Sequence, residues 1–264
     1  MVTPFSNIDI IDVDQEHMLG RVHSMVAGSV VDGPGIRHTI FLQGCQFKCL
    51  YCHNRDTWDL NAGQLFTVAE LVDEVLSYAT FMDKSRGGVT VTGGEPMLQP
   101  QFLSLLFKQL HKMGIHTCLD TNGYASKHIY GDVLDSLLEH TDLVMLDIKH
   151  MDNEKHKILT GIDNDIPLNF AKHLHEVKQP TRIRYVVVPG YTDDMDDIRK
   201  LAEFIAPMDN VQLLELLPYH RMGRKKWIEL GQTYALEDIE SPTPNFMRKL
   251  KSTLESDYGL KVLL

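Results

Sequence analysis

The chain has 264 residues, a net charge of −10, 43% hydrophobic residues and 23% charged residues. This composition excludes a disordered or low-complexity chain, and the length supports a sizeable core without disulfide or metal staples. The acidic balance offers no basic footprint for nucleic acid, and no apolar run approaches the ~20 residues that span a bilayer.

The first residues carry Asp9, Asp12, Asp14 and Glu16 but no Lys or Arg. Residues 1–18 therefore read as a mobile acidic arm, not a signal or transit peptide. Residues 19–264 read as one domain. Within it, short apolar, β-branched runs predict strands at His38–Leu42, Gly88–Thr92, His116–Leu119, Asp142–Ile148, Ile183–Val188 and Val211–Leu217. Several are continuously apolar, as parallel strands covered on both faces are.

Helical patterns lie between the strands. Thr67-Val-Ala-Glu70 is a capping box opening a helix with Leu71, Val72, Val75, Leu76 and Ala79 on one face. Further helices carry Leu103, Leu106 and Leu110; then Leu134, Leu137 and Leu138; then Leu168, Ala171 and Leu174. A fifth, behind the acids Asp193 and Asp194, carries Ile198, Leu201 and Ile205, and a last one, with Phe246, Leu250 and Leu254, follows Pro244 and stops before Gly259. Six β-then-α units in series predict right-handed crossovers and an α/β fold, a partial (β/α)6 TIM-like barrel with a parallel sheet and outer helices.

Three of the four cysteines fall within eight residues, Cys45-x3-Cys49-x2-Cys52, and Cys118 stands alone. Four chemistries compete for the triplet: a redox CxxC pair, structural zinc, covalent haem on Cys49-Leu-Tyr-Cys52-His53, and an iron–sulfur cube with one iron left open. A non-enzymatic metal or electron-transfer module also accounts for the cysteines. It does not account for the strand ends. The predicted strands end in Gly44 and the triplet, Gly93-Gly94-Glu95, Asp120-Thr121-Asn122-Gly123, Asp147-Ile148-Lys149, Pro189-Gly190 and Pro218-Tyr219-His220. In α/β barrels the site is built at that end of the sheet.

The triplet, the GGEP segment and the strings DGPGIR, CLYCHNRDTWD, CLDTNG, DLVMLDIK, IRYVVVPG and LLPYH together resemble the radical S-adenosylmethionine (SAM) superfamily and, within it, the glycyl-radical enzyme activases that act on pyruvate formate-lyase. The resemblance runs from about residue 23 to the C-terminus. It implies a [4Fe–4S] cluster on Cys45, Cys49 and Cys52 that cleaves SAM reductively. The resulting 5′-deoxyadenosyl radical would abstract a glycine hydrogen from pyruvate formate-lyase, in anaerobic glucose metabolism.

SAM contacts implied by the resemblance are Tyr51, Cys52, His53, Gly93, Gly94, Glu95, Asp147, Ile148, Lys149, Arg184 and His220. In this reading Glu95 faces the SAM ammonium and Lys149 its carboxylate. Asp120, Thr121 and Asp147 could hold a monovalent cation, and Asp32 and His220 would meet the protein substrate. Cys118 is expected to be a buried small hydrophobe. Activases with added ferredoxin clusters need about eight more cysteines, so one cluster is expected. The expected protein is a cytoplasmic monomer served by flavodoxin or ferredoxin, with no nucleic-acid or membrane partner. The basic run Arg221-Met-Gly-Arg224-Lys225-Lys226-Trp227 is the expected docking patch for that donor, with Trp227 as an aromatic anchor.

Overall fold

A computed structural model describes residues 17–124, 129 and 131–264. Apart from its last two residues, the expected acidic arm lies outside them. The six expected strands are present as β2 (Arg37–Leu42), β4 (Gly88–Gly93), β5 (His116–Thr121), β6 (Leu143–Asp147), β7 (Thr181–Val187) and β8 (Val211–Pro218). They pair in parallel in that order.

Three strands were not expected. β1 (Leu19–Ser29) runs antiparallel to both β2 and β3 (Gln64–Thr67), and β9 (Val262–Leu263) extends the other edge beside β8. The sheet order is β3-β1-β2-β4-β5-β6-β7-β8-β9, with β3 and β9 left as edges. It is the open, partial barrel expected from six βα units, widened at both ends.

The capping box at Thr67 and Glu70 starts α1 (Val68–Leu76), with both reciprocal bonds formed. The chain then turns at Ser77 and Tyr78 into a separate α2 (Ala79–Ser85), where the sequence suggested one continuous helix. The other expected helices are α3 (Pro100–Lys112), α4 (Asp132–Glu139), α6 (Asp165–Glu176), α7 (Met195–Ile205) and α9 (Pro244–Tyr258). Asp194 caps α7 by accepting the N–H groups of Asp196 and Asp197. Short helices α5 (Asn153–Thr160) and α8 (Arg224–Glu229) complete the set.

Side chains alternate across each strand, so one sheet face meets the helices and the other lines the barrel. Ile40, Val91, Leu119, Leu146, Ile183 and Leu214 belong to the outer core, packed with α1, α3, α4, α6, α7 and α9. The inner face is polar. There Arg184 reaches Asp120 on β5 and Arg182 reaches Glu215 on β8. Cys118, Leu143 and Met145 form a small apolar layer beneath them, so Cys118 is a fully buried hydrophobe as expected.

Candidate active site

The triplet lies on the loop after β2. That loop is pinned to its surroundings by backbone bonds: Gly44 N–H to Thr57, Lys48 N–H to Thr160 and Leu50 N–H to Leu159. Thr160 and Leu159 end α5, so that unforeseen helix anchors the cysteine loop. Trp227 closes the other side, its indole N–H donating to the Cys52 carbonyl at 2.9 Å. Its ring stands edge-on to Trp58 at 5.4 Å, and Arg55 lies 3.9 Å over Trp58.

Cys45, Cys49 and Cys52 all face one cavity of about 690 Å³. Burial pushes the Cys49 thiol up to about 12, with Lys149 pulling the other way. Burial also raises Cys45, reinforced by Cys49 and Glu95, and raises Cys52. The bare thiols are therefore protonated at neutral pH, and iron binding would release their protons.

The same cavity is lined by Asp32, Tyr51, His53, Gly93, Gly94, Asp120, Thr121, Asp147, Lys149, Arg184 and His220. Residues from almost 190 positions of sequence thus converge at the C-terminal ends of the strands. Lys149 Nζ donates to Asp147 at 2.6 Å and lies 5.7 Å from the Tyr51 ring. Burial opposes the Lys149 charge, and the Asp147 carboxylate more than offsets it, so its pKa is raised. Arg184 is held charged by Asp120, 2.7 Å away, with Glu215 at 3.7 Å on its far side. The His53 and His220 rings lie 4.3 Å apart, and burial lowers the His53 pKa ahead of the neighbouring His220. Asp32 accepts hydroxyl bonds from Ser29 at 2.6 Å and Thr39 at 2.9 Å, so the DGPG turn is tied to the barrel interior.

Gly93 and Gly94 are required where they stand. Gly93 has φ +122°, and a Cβ there would lie 2.3 Å from the Leu42 carbonyl oxygen. A Cβ on Gly94 would lie 2.0 Å from the Gly44 oxygen. The end of β4 therefore lies flush against the cysteine loop, closer than any side chain permits.

Glu95 and Ile148 are absent from the cavity lining, and the basic run is paired. Glu95 does not reach the cavity. It is fully buried, accepting bonds from Thr121 Oγ1 at 2.6 Å, Asn122 N at 2.8 Å and Met97 N at 3.0 Å. Burial lifts its pKa to about 7 against those bonds. In the structure this carboxylate is an internal brace. Ile148 is likewise a core residue, its N–H donating to the Arg184 carbonyl at 3.1 Å.

The basic run is not a free patch either. Arg221 pairs with Glu240, Arg224 with Glu237, Lys225 with Glu229 and Lys226 with Asp56. Trp227 is buried beneath the cysteine loop, not exposed as an anchor. Folding brings Asp56, Glu237 and Glu240 onto three of those cations, and Lys225 pairs within its own helix.

Sequence reasoning missed Asn122, Trp58 and Glu215. Asn122 Nδ2 donates to Cys45 Sγ at 3.8 Å, across 77 positions of sequence. Trp58 packs against Cys45, Phe47 and Cys49. Asn122 lies within the quoted CLDTNG string, which was a signal of position but not of role.

The donor set fits an iron–sulfur cluster. Three sulfurs share one wall of the cavity, the Asn122 amide points at Cys45, and Asp120 Oδ1 is buried in the same lining without a partner. Among the described residues, no group of three or more His, Cys, Asp or Glu is disposed around a single metal ion.

A family model described as the radical SAM superfamily matches residues 39–205. Pyruvate formate-lyase 1-activating enzyme from Escherichia coli is 49% identical over 246 residues, covering 93% of this chain and 99% of that protein. Pyruvate formate-lyase-activating enzyme from Staphylococcus aureus is 51% identical over 226 residues, covering 84% and 90%. A solved domain of a pyruvate-formate lyase-activating enzyme from Bacteroides vulgatus superposes with a TM-score of 0.55 at 27% identity, over 67% of this chain and 98% of that one. The cysteine loop, the polar strand ends and these relatives agree: the chain belongs to the radical SAM superfamily and, within it, to the family of the pyruvate formate-lyase-activating enzymes.

Proposed function

We propose that the chain activates pyruvate formate-lyase by generating a glycyl radical on it. Cys45, Cys49 and Cys52 would hold the [4Fe–4S] cluster, leaving one iron for SAM. The observation that carries this reading is the shared cavity: three sulfurs, the Asp147–Lys149 pair and the Asp120–Arg184 pair face one space. The cluster and SAM, when bound, supply one-electron cleavage of SAM and a hydrogen-abstracting radical.

The protein's own residues bind and orient. Lys149 would turn from Asp147 to the SAM carboxylate, which frees Asp147 for the ribose or sulfonium. Backbone groups of Gly93 and Gly94 would meet the amino group, in place of the Glu95 side chain. Tyr51 and His53 would flank the adenine. A monovalent cation fits the unpartnered Asp120 Oδ1, with Thr121 and Asp147 beside it. Asp32 and His220, from opposite ends of the partial barrel, would receive the glycine-bearing segment.

A flavodoxin or ferredoxin would deliver the electron. The four cysteines are free thiols, which suits a reducing cytoplasm.

The test is anaerobic incubation of the reconstituted protein with pyruvate formate-lyase, SAM and a reductant. A glycyl-radical EPR signal on the lyase, with 5′-deoxyadenosine formed alongside, is expected. SAM cleavage with no radical on the lyase would assign the chain another substrate.

A further inference from the structure

We propose that Asn122 sets the reduction potential of the cluster, by donating an amide hydrogen bond to the Cys45 sulfur. The inference rests on the proposed cysteine ligation. Asn122 is 7% exposed, and its Nδ2 lies 3.8 Å from Cys45 Sγ.

The amide is held in that orientation. Its Oδ1 accepts the Tyr124 N–H at 2.9 Å, so its NH₂ end must face the sulfur. Its backbone N–H donates to Glu95 Oε2 at 2.8 Å. Glu95 is in turn braced by Thr121 and Met97. A buried chain of bonds thus runs from the end of β4, through Glu95, to the corner after β5, and ends on Cys45. This gives the displaced carboxylate its purpose: it fixes the corner that carries Asn122.

The consequence is electrostatic. Reducing the cluster adds one electron, and the new negative charge spreads onto the ligand sulfurs. A fixed N–H dipole aimed at one sulfur stabilises the reduced form more than the oxidised one. Hydrogen bonds to the sulfurs are among the levers that set cluster potentials, and a dry surround strengthens them. Asn122 would therefore ease reduction of a cluster in a cavity whose carboxylates Asp120 and Asp147 oppose it.

The experiment compares wild type with Asn122→Leu and Asn122→Ala. Both are reconstituted anaerobically, assayed for iron and sulfide, and titrated potentiometrically without SAM, with the reduced cluster read by EPR. The midpoint belongs to the loaded fraction, so incomplete loading does not disturb it. Both variants should have a lower midpoint, the reduction equilibrium falling about tenfold, which is about 59 mV for a one-electron couple. A midpoint equal to wild type in either variant overturns the role of Asn122. A wild-type chain that takes up no cluster would overturn the ligation itself, a separate result.

Discussion

Alanine at Gly94 tests whether the end of β4 and the cysteine loop form one rigid unit. Its Cβ would lie 2.0 Å from the Gly44 carbonyl oxygen and 3.2 Å from Cys45 Cβ. Neither is the free end of a flexible side chain, so backbone has to move. Gly44 cannot retreat without cost. Its oxygen accepts the Glu95 N–H at 2.7 Å, and its N–H donates to Thr57 at 2.8 Å. Overpacking costs about 1–3 kcal/mol, and each backbone bond lost adds about 1 kcal/mol, so the total is roughly 2–5 kcal/mol. For a domain of this size that is a fall in Tm of about 4–20 °C. Because Cys45 follows Gly44 directly, iron content after reconstitution should fall as well.

Gly114→Ala is the control. Unlike Gly94 it has a positive φ, +72°, but a Cβ there meets nothing within 4 Å. It should cost about 1–2 kcal/mol in backbone strain and leave cluster loading intact. Calorimetry and iron assay on both variants decide the matter. Wild-type stability and full iron in Gly94→Ala would refute the close packing described here.

Two further outcomes follow from the barrel's charges. Arg184→Met leaves the buried Asp120 without its cation and Glu215 with Arg182 alone, a loss of about 3–5 kcal/mol at neutral pH. Burial already raises the Asp120 pKa, and losing Arg184 raises it further. A carboxyl whose folded pKa lies above its unfolded value stabilises at low pH and loses that stabilisation as pH rises through the folded pKa. The defect should therefore shrink on acidification from pH 7 toward 4, and denaturant melts showing a constant defect would contradict the pairing. Lys149→Ala should keep the cluster and weaken SAM binding about tenfold or more, the loss of one charge-assisted bond, as read by calorimetric titration. Unchanged SAM affinity would remove Lys149 from the site.

The six parallel strands were legible because parallel strands are buried on both faces and write continuous apolar runs. β1 was not. Its segment, Leu19 to Ser29, is half exposed and interrupted by register shifts against β2, so no period shows. α5 buries only His156, Leu159 and Thr160 and carries no apolar stripe, yet it anchors the cysteine loop. The site residues were legible as a set because strand ends are a topological address. Their partners were not, since hydrogen bonds link residues far apart in sequence. Glu95 reads as a ligand for an ammonium until Thr121 and Asn122 are seen folded onto it. The run from Arg221 to Lys226 reads as a basic patch until Asp56, Glu237 and Glu240 arrive beside it.

The central claim is that three cysteines, and not the fourth, hold a cluster with one iron open to SAM. It is tested most directly by the EPR spectrum of the reduced, reconstituted protein with and without SAM, in wild type and in the four Cys→Ser variants. SAM should change the wild-type and Cys118→Ser spectra alike, because Cys118 lies fully buried in the apolar layer beneath the cavity. Cys45→Ser, Cys49→Ser and Cys52→Ser should show no SAM-responsive cluster signal. A folded Cys118→Ser protein without cluster, or a wild-type spectrum that SAM leaves unmoved, would contradict the account.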